Sequence, residues 1–199
     1  MLTRRQLVLK RIFDLSFSIL ILPFAIIPLI LLTVLATLST GSNGFFVQQR
    51  IGQHGKPFAL YKIRSLKGSH HVDVLEIKQS ETKFGSWLRR TKLDELPQVF
   101  NVLLGDMSWV GPRPDISGYA DKLEGDDKII LSIKPGITGP ATLTYRNEDN
   151  LLVQQSNPKE YNDIVIWPDK VAINKAYIQN WSLVGDVKYI IRSVFGSSW

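Results

Sequence analysis

The 199-residue chain has no cysteine. A disulfide framework and a thiolate metal site are both excluded, and the absence fits a reducing compartment. Neither an internal repeat nor a low-complexity tract is present, which excludes a repeat array. Acidic residues are the minority: 24 Lys and Arg stand against 18 Asp and Glu, a net charge of +6. A basic balance suits partners that carry phosphate, namely nucleic acid, anionic lipid or a nucleotide substrate. The cations cluster about carboxylates and form no basic stripe, which argues against nucleic acid. The length fits one domain of ordinary size.

What is present begins with a long apolar run. From Ile12 to Leu38, 27 residues, the only polar side chains are Asp14, Ser16, Ser18, Thr33 and Thr37. A straight helix of that length would measure about 40 Å, against a hydrocarbon core of about 30 Å. It is longer than a signal-peptide core of about 7–15 residues. Arg4, Arg5, Lys10 and Arg11 precede it, and Arg50, Lys56, Lys62 and Arg64 follow. Basic flanks prefer the cytoplasmic side, and here both flanks are basic. A helix that enters, bends and returns to the same face satisfies both; a kinked transmembrane helix is the alternative. Pro23 and Pro28 lie near the middle, where each removes a backbone hydrogen bond, with Ser16 or Ser18 as candidates to satisfy a freed carbonyl. Arg11 and Asp14, three residues apart, are expected to form an interfacial ion pair.

Phe45–Arg50 and Pro57–Ile63 read as strands of a hairpin around Gly52–Gly55. Phe58, Leu60 and Lys62 share one face. Lys62 and Arg64, two residues apart, suit a diphosphate, a lipid headgroup or a merely solvated face. Lys67–Lys83 reads as polar loop, and its His70-His71 pair is not taken for a metal site. Phe84–Lys92 reads as a short helix, basic at its end. Ile116–Ile133 reads as a helix. Pro135–Pro140 reads as a turn whose glycines allow either close approach to a ligand or a purely structural bend. Ile173–Phe195 is a last helix or pair, with aromatic and basic residues interleaved as on a bilayer surface or in a core.

The richest stretch is Leu93–Asp115. Asp94 and Glu95 are adjacent carboxylates. A helix follows, with Leu96, Val99, Phe100, Leu103 and Leu104 expected on its buried face, ended by Gly105. Pro97 costs no hydrogen bond only in a first turn, so the helix should begin between about Asp94 and Leu96, with Asp94 at its N-terminus. Thr91 as the cap is the rival start. Arg89, Arg90 and Lys92 stand just ahead and should hold the carboxylates ionised. Arg113 sits between two prolines on stiff backbone.

Leu93-Asp94-Glu95-Leu96-Pro97-Gln98, Gly105-Asp106-Met107-Ser108, Val110-Gly111-Pro112-Arg113-Pro114 and Pro135-Gly136-Ile137-Thr138-Gly139 resemble the bacterial sugar transferases, the monotopic phosphoglycosyl transferases. Arg11-Ile12-Phe13-Asp14 and Tyr61-Lys62-Ile63-Arg64-Ser65 fit as well. The resemblance implies an α+β, mainly helical fold: a re-entrant membrane helix over residues 1–40, then a compact cytosolic catalytic domain over 41–199 with a small hairpin and interfacial helices. It implies transfer of a phospho-sugar from a UDP-sugar to undecaprenyl phosphate, with release of UMP. Asp94 would be the nucleophile, forming an acyl phosphate. Glu95 would serve as base or metal ligand. Mg²⁺ would be held by Asp94 or Glu95 and few other protein groups, and Lys62, Arg64, Arg89 and Arg113 would clamp phosphate oxygens. The location would be the cytoplasmic face of a bacterial inner membrane, with a homodimer possible. Asn174 stands where the family often has an acid. A glycosyltransferase releasing UDP and a non-catalytic basic membrane adaptor are the competing readings.

Overall fold

A computed structural model describes residues 1–68, 76 and 79–196; His70, His71 and Trp199 lie outside the described residues. The fold is mainly helical, with two small sheets and one long apolar helix at the N-terminus. That helix, α1 (Arg4–Thr40), is started by a capping box between Thr3 and Gln6 and closed by Gly41 in the left-handed conformation, φ 71°. It continues through Pro23 and Pro28. Lys10, Asp14, Ser18, Ala25, Leu29, Leu32, Ala36 and Thr40 are buried, mostly at the three- and four-residue spacing of one helical stripe. Around the two prolines Ile19, Leu20, Phe24, Ile27, Ile30 and Leu31 are exposed.

Both halves of α1 hold the same globular body. In the first half, Lys10 Nζ lies 2.6 Å from Asp186 Oδ2, and Arg11 donates to the carbonyls of Val102 and Leu103. Asp14 accepts from Ser108 Oγ and the Trp109 backbone N–H, both at 3.0 Å. In the second half, Leu29, Leu32 and Ala36 pack with Ile63 and Leu88, and Ser39 donates to Thr82. The expected Arg11–Asp14 pair is therefore replaced. Arg11 finds orphan carbonyls at the end of another helix, and Asp14 finds donors on a strand; each satisfies a buried group that a surface pair would leave unmet. Ser18 Oγ accepts from the Trp109 indole at 2.9 Å rather than serving the proline bend.

β1 (Phe45–Ile51) and β2 (Pro57–Ile63) form the antiparallel hairpin, paired from Phe45↔Ile63 to Ile51↔Pro57. α2 (Lys83–Thr91) is capped by Thr82, and α3 (Gln98–Leu104) follows. Asn101 is fully buried and pins α3 to β2: its Oδ1 accepts from Tyr61 N and its Nδ2 donates to Ala59 O. That bond fixes the rotation of the helix. Gln98, Val99, Asn101 and Val102 face inward, and Leu104 is turned out at 67% exposure. The apolar face expected for this helix is thus rotated toward an amide that satisfies the edge of β2.

A second, parallel pair was not legible beforehand: β3 (Ser108–Val110) with β4 (Gly136–Thr138). Its glycines approach backbone. A Cβ on Gly136 would fall 2.1 Å from Gly111 N, and one on Gly139 would fall 2.3 Å from Gly111 O. With Gly136 N donating to Pro112 O at 2.8 Å, this contact holds the Pro112-Arg113-Pro114 segment. The glycines of Pro135–Pro140 therefore meet protein backbone, the structural of the two readings.

The helix expected over Ile116–Ile133 is not formed. Two 3₁₀ segments, Ala120–Lys122 and Gly125–Ser132, are separated by an extended Leu123, with Gly118 and Gly125 at positive φ. Left-handed glycines break an α-helix wherever they occur. After β4 come α4 (Pro140–Thr144), α5 (Glu148–Val153), α6 (Pro158–Tyr161), α7 (Trp167–Gln179) and α8 (Leu183–Phe195). α7 and α8 are the expected closing pair, with Ser182 capping α8. Tyr177 and Trp181 are buried in the main core with Val110, Ile133 and Val171. The exposed apolar residues of α8 are instead Val184, Val187, Ile191, Val194 and Phe195.

Candidate active site

A 3₁₀ turn over Leu93–Glu95 carries the two carboxylates between α2 and α3. Lys92 makes the turn possible by adopting φ 60° at the end of α2, a conformation unusual for a lysine. α3 begins only at Gln98, with Pro97 in the capping position, so the start lies later than expected. Asp94 makes no capping bond. Thr91 does not cap either; its hydroxyl donates back to Trp87 O and Leu88 O.

Both carboxylates are buried, at 6% exposure each, yet their surroundings differ. Glu95 Oε1 accepts from Arg113 Nη2 at 2.5 Å and lies 3.8 Å from Lys62 Nζ. Burial alone would push Glu95 up, but Arg113 and Lys62 outweigh it and hold the carboxyl near 2. Among the described residues Asp94 has no such partner. Its Oδ1 is buried without a hydrogen bond, and burial raises its pKa against the pull of Lys62, with Glu95 adding to the rise. The neighbouring cations hold only one of the two carboxylates firmly ionised, because Glu95 takes the close contacts. An orphaned, desolvated carboxylate oxygen is a costly arrangement in a resting fold.

Lys62, on the face of β2 that carries Phe58 and Leu60, and Arg113, on its proline-flanked segment, both expected as phosphate clamps, meet at Glu95. Arg64 and Arg89 do not join them in this structure. Arg64 donates to Asn43 O and Gly68 O and lies over the Phe46 ring at 4.8 Å. Arg89 is paired with Glu81 at 3.2 Å and with Asp149. Lys92 is one of the cations expected beside the dyad, and Arg50 and Asp115 join it as two further neighbours. Lys92 lowers the pKa of both carboxyls. Arg50 lies in the field of Arg113, Asp115 and Glu95. Burial lifts the Asp115 carboxyl to about 6 against Lys170, Arg50 and Arg113. The signal for Arg50 was available: it shares the hairpin face of Lys62 by strand alternation, with Arg50↔Phe58 and Phe46↔Lys62 in register.

Among the described residues no group of three His, Cys, Asp or Glu side chains could enclose a metal. The donor set nonetheless suits Mg²⁺, which needs only one or two carboxylates when phosphate oxygens and water complete its shell. Asp94 and Glu95 are the carboxylates that would hold it, with Glu95 Oε1 already taken by two cations.

Adjacent buried carboxylates faced by lysine and arginine stand on a chain that carries, among the described residues, one helix long and apolar enough to cross a membrane, an arrangement suited to phosphate-bearing substrates. Comparison with known proteins makes this specific: the family model described as bacterial sugar transferase matches residues 5–197, and the chain belongs to that family. The uncharacterized sugar transferase EpsL of Bacillus subtilis is 34% identical over 94% of this chain and 86% of its own length. The UDP-glucose:undecaprenyl-phosphate glucose-1-phosphate transferase of Klebsiella pneumoniae is 36% identical over 96% of this chain and 40% of its own. The undecaprenyl-phosphate galactose phosphotransferase of Salmonella typhimurium is 32% identical over 93% of this chain and 39% of its own. The chain thus spans about two fifths of these last two relatives and most of the first. It is an enzyme, a phosphoglycosyl transferase, and the adaptor reading falls.

Proposed function

We propose that this enzyme moves a phospho-sugar from a UDP-sugar to undecaprenyl phosphate, releasing UMP, with Asp94 as the covalent nucleophile. The observation that carries the reading is the asymmetry of the dyad. Glu95 is tied to Arg113 and Lys62, while Asp94 Oδ1 is buried without a partner. A desolvated carboxylate oxygen is a stronger nucleophile than a solvated one.

In the first step Asp94 Oδ attacks the β-phosphorus of the donor. A bond from carboxylate oxygen to phosphorus forms, the bond to the bridging oxygen breaks, and UMP leaves with that oxygen. In the second step an oxygen of the lipid phosphate attacks the same phosphorus, and the carboxylate of Asp94 is regenerated. Lys62 and Arg113 stabilise the charge that spreads over the phosphoryl oxygens. Glu95 holds both cations in place and fixes their aim. Mg²⁺, held by a carboxylate oxygen of the Asp94–Glu95 pair other than the attacking one, would neutralise the donor diphosphate.

The anchor fits the two substrates, one soluble and one lipidic. Both halves of α1 contact one body while the middle exposes Leu20, Phe24 and Ile27, which supports a re-entrant path. A straight helix of 37 residues would reach about 55 Å and carry its far end away. Basic residues on both flanks support the cytoplasmic face, and the exposed apolar face of α8 supports contact with the same leaflet. The decisive experiment incubates the enzyme with a panel of UDP-sugars, undecaprenyl phosphate and Mg²⁺, and identifies the nucleotide released. UMP is expected; UDP would mean that the sugar moves without its phosphate.

A further inference from the structure

Among the described residues Arg50, next to last in β1, is held by neutral acceptors only. Its Nε and Nη2 both donate to Gln48 Oε1, at 3.2 and 2.8 Å, and its Nη1 reaches Pro114 O at 3.5 Å. The partners are neutral, and among the described residues no carboxylate lies within ion-pair distance of it. A guanidinium has five N–H donors, so at least two remain for another acceptor. Gln48 folds the side chain back along β1 toward Phe46, the residue paired with Lys62. The same strand end grips the arginine-bearing segment, because Ile51 N donates to Asp115 O at 2.8 Å. Arg50 is half-buried, and burial followed by the nearby Arg113 lowers its pKa to about 10. Asp115 and Glu95 lie in its field beside Arg113, but among the described residues neither is paired with it, so its spare N–H donors are free for an incoming anion.

We infer that Arg50, held by Gln48 and Pro114, is a third phosphoryl-oxygen ligand of the site, completing with Lys62 and Arg113 a set open to an incoming anion. The inference rests on the proposed function for the identity of its substrates, but the anion could be the donor diphosphate or the lipid phosphate, which share this chemistry. A planar fork suits either bidentately.

The test separates the site from the reaction. Binding of inorganic pyrophosphate to the full chain in lipid nanodiscs is measured calorimetrically for wild type, Arg50→Gln, Arg50→Lys, Gln48→Leu and Lys159→Gln. Loss of one charge-assisted contact should weaken pyrophosphate about tenfold in Arg50→Gln. Arg50→Lys should recover part of the loss. Gln48→Leu keeps the charge and should still weaken binding about threefold or more, since the guanidinium is no longer folded back. Exposed Lys159→Gln removes the same unit of charge and should change binding less than about twofold. Affinity within twofold of wild type in Gln48→Leu and in folded Arg50→Gln overturns the inference; if Arg50→Gln does not fold, Gln48→Leu decides. Steady-state kinetics then identify the anion: a raised KM for the UDP-sugar assigns the donor, and a raised KM for undecaprenyl phosphate assigns the acceptor. Should pyrophosphate depend on Arg50 while wild type releases no UMP, the anion site stands and the proposed reaction falls.

Discussion

The molecule buries two ionic clusters, and they are built to opposite ends. Around Asp186, which is fully buried, every acceptor is used: Lys10 Nζ at 2.6 Å and Trp181 Nε1 at 3.0 Å on Oδ2, and Tyr177 Oη at 2.7 Å on Oδ1. Around Asp94 and Glu95 the cations converge on Glu95, and Asp94 Oδ1 is left without a hydrogen bond. The first cluster stitches the start of α1 to α7 and α8. It can afford no vacancy, because a half-satisfied buried network is worse than none. The second leaves Asp94 Oδ1 unpaired among the described residues, at the carboxylate that the proposed chemistry needs. A buried carboxylate thus has two uses, and the hydrogen-bond inventory tells them apart where burial alone does not.

The largest effect should come from breaking the open cluster at its open atom. Asp94→Asn is expected to lower UMP release about a thousandfold or more, with thermal stability unchanged or raised, since a desolvated carboxylate is replaced by a neutral amide. Retained turnover, followed by nucleotide release, would remove Asp94 from the covalent role. Next, Asp186→Asn should leave Lys10 buried without its counter-charge and cost about 3–5 kcal/mol of stability in denaturant titration. Activity per folded molecule should be retained, because Asp94 is untouched. A stable Asp186→Asn protein would mean that the closed cluster is not the stitch that its geometry indicates.

Much of this contrast was readable in advance on one side only. The dyad announces itself, because two adjacent acids followed by a proline and an apolar run, with cations just before, are local in sequence. The hairpin and the long helix were equally local, each set by a period of two or by a continuous apolar run. The closed cluster was not legible: Lys10 and Asp186 are separated by 176 residues, and nothing at either position marks the other. The same distance hid the roles of Arg11, Asp14 and Ser18, whose partners lie on α3 and β3. Arg64 and Arg89 look equivalent to Lys62 and Arg113 by charge. Only the carbonyls at Asn43 and Gly68, and the acids Glu81 and Asp149, show where their charge is spent. Over Ile116–Ile133 the acidic and apolar pattern suggests a helix, but Gly118 and Gly125 inside it adopt positive φ and break it.

Glu95→Gln sharpens the comparison, because Glu95 behaves as the closed cluster does while sitting in the open one. Its loss should reduce activity about a hundredfold by releasing Lys62 and Arg113 from their positions, and should cost stability as well. The stability part has a signed pH dependence. The folded pKa, near 2, lies below the ordinary 4.5; the contribution is therefore fully present above about 4.5 and is lost as pH falls toward 2. The stability difference between wild type and Glu95→Gln, measured by thermal melts across that window, should shrink with acid. A difference that grew with acid would mean that the carboxylate is not the ionised partner of Arg113.

The smallest expected effect lies at Tyr177. Its hydroxyl donates to Asp186 Oδ1 and accepts from Lys10 Nζ at 3.3 Å, and burial followed by Asp186 raises its pKa well beyond the usual phenol range. The phenol is therefore a fixed neutral donor at any pH the protein meets. Tyr177→Phe keeps the ring against Tyr189 and deletes the bond to Asp186 Oδ1 and the long one from Lys10, while Asp186 Oδ2 still holds Lys10 and Trp181. A net cost of about 1–2 kcal/mol follows, smaller than for Asp186→Asn because no charge is left unpaired. Kinetics should be unchanged. If Tyr177→Phe lowered UMP release while melting near wild type, the two clusters would be coupled through α7, and the closed one would have a share in the chemistry.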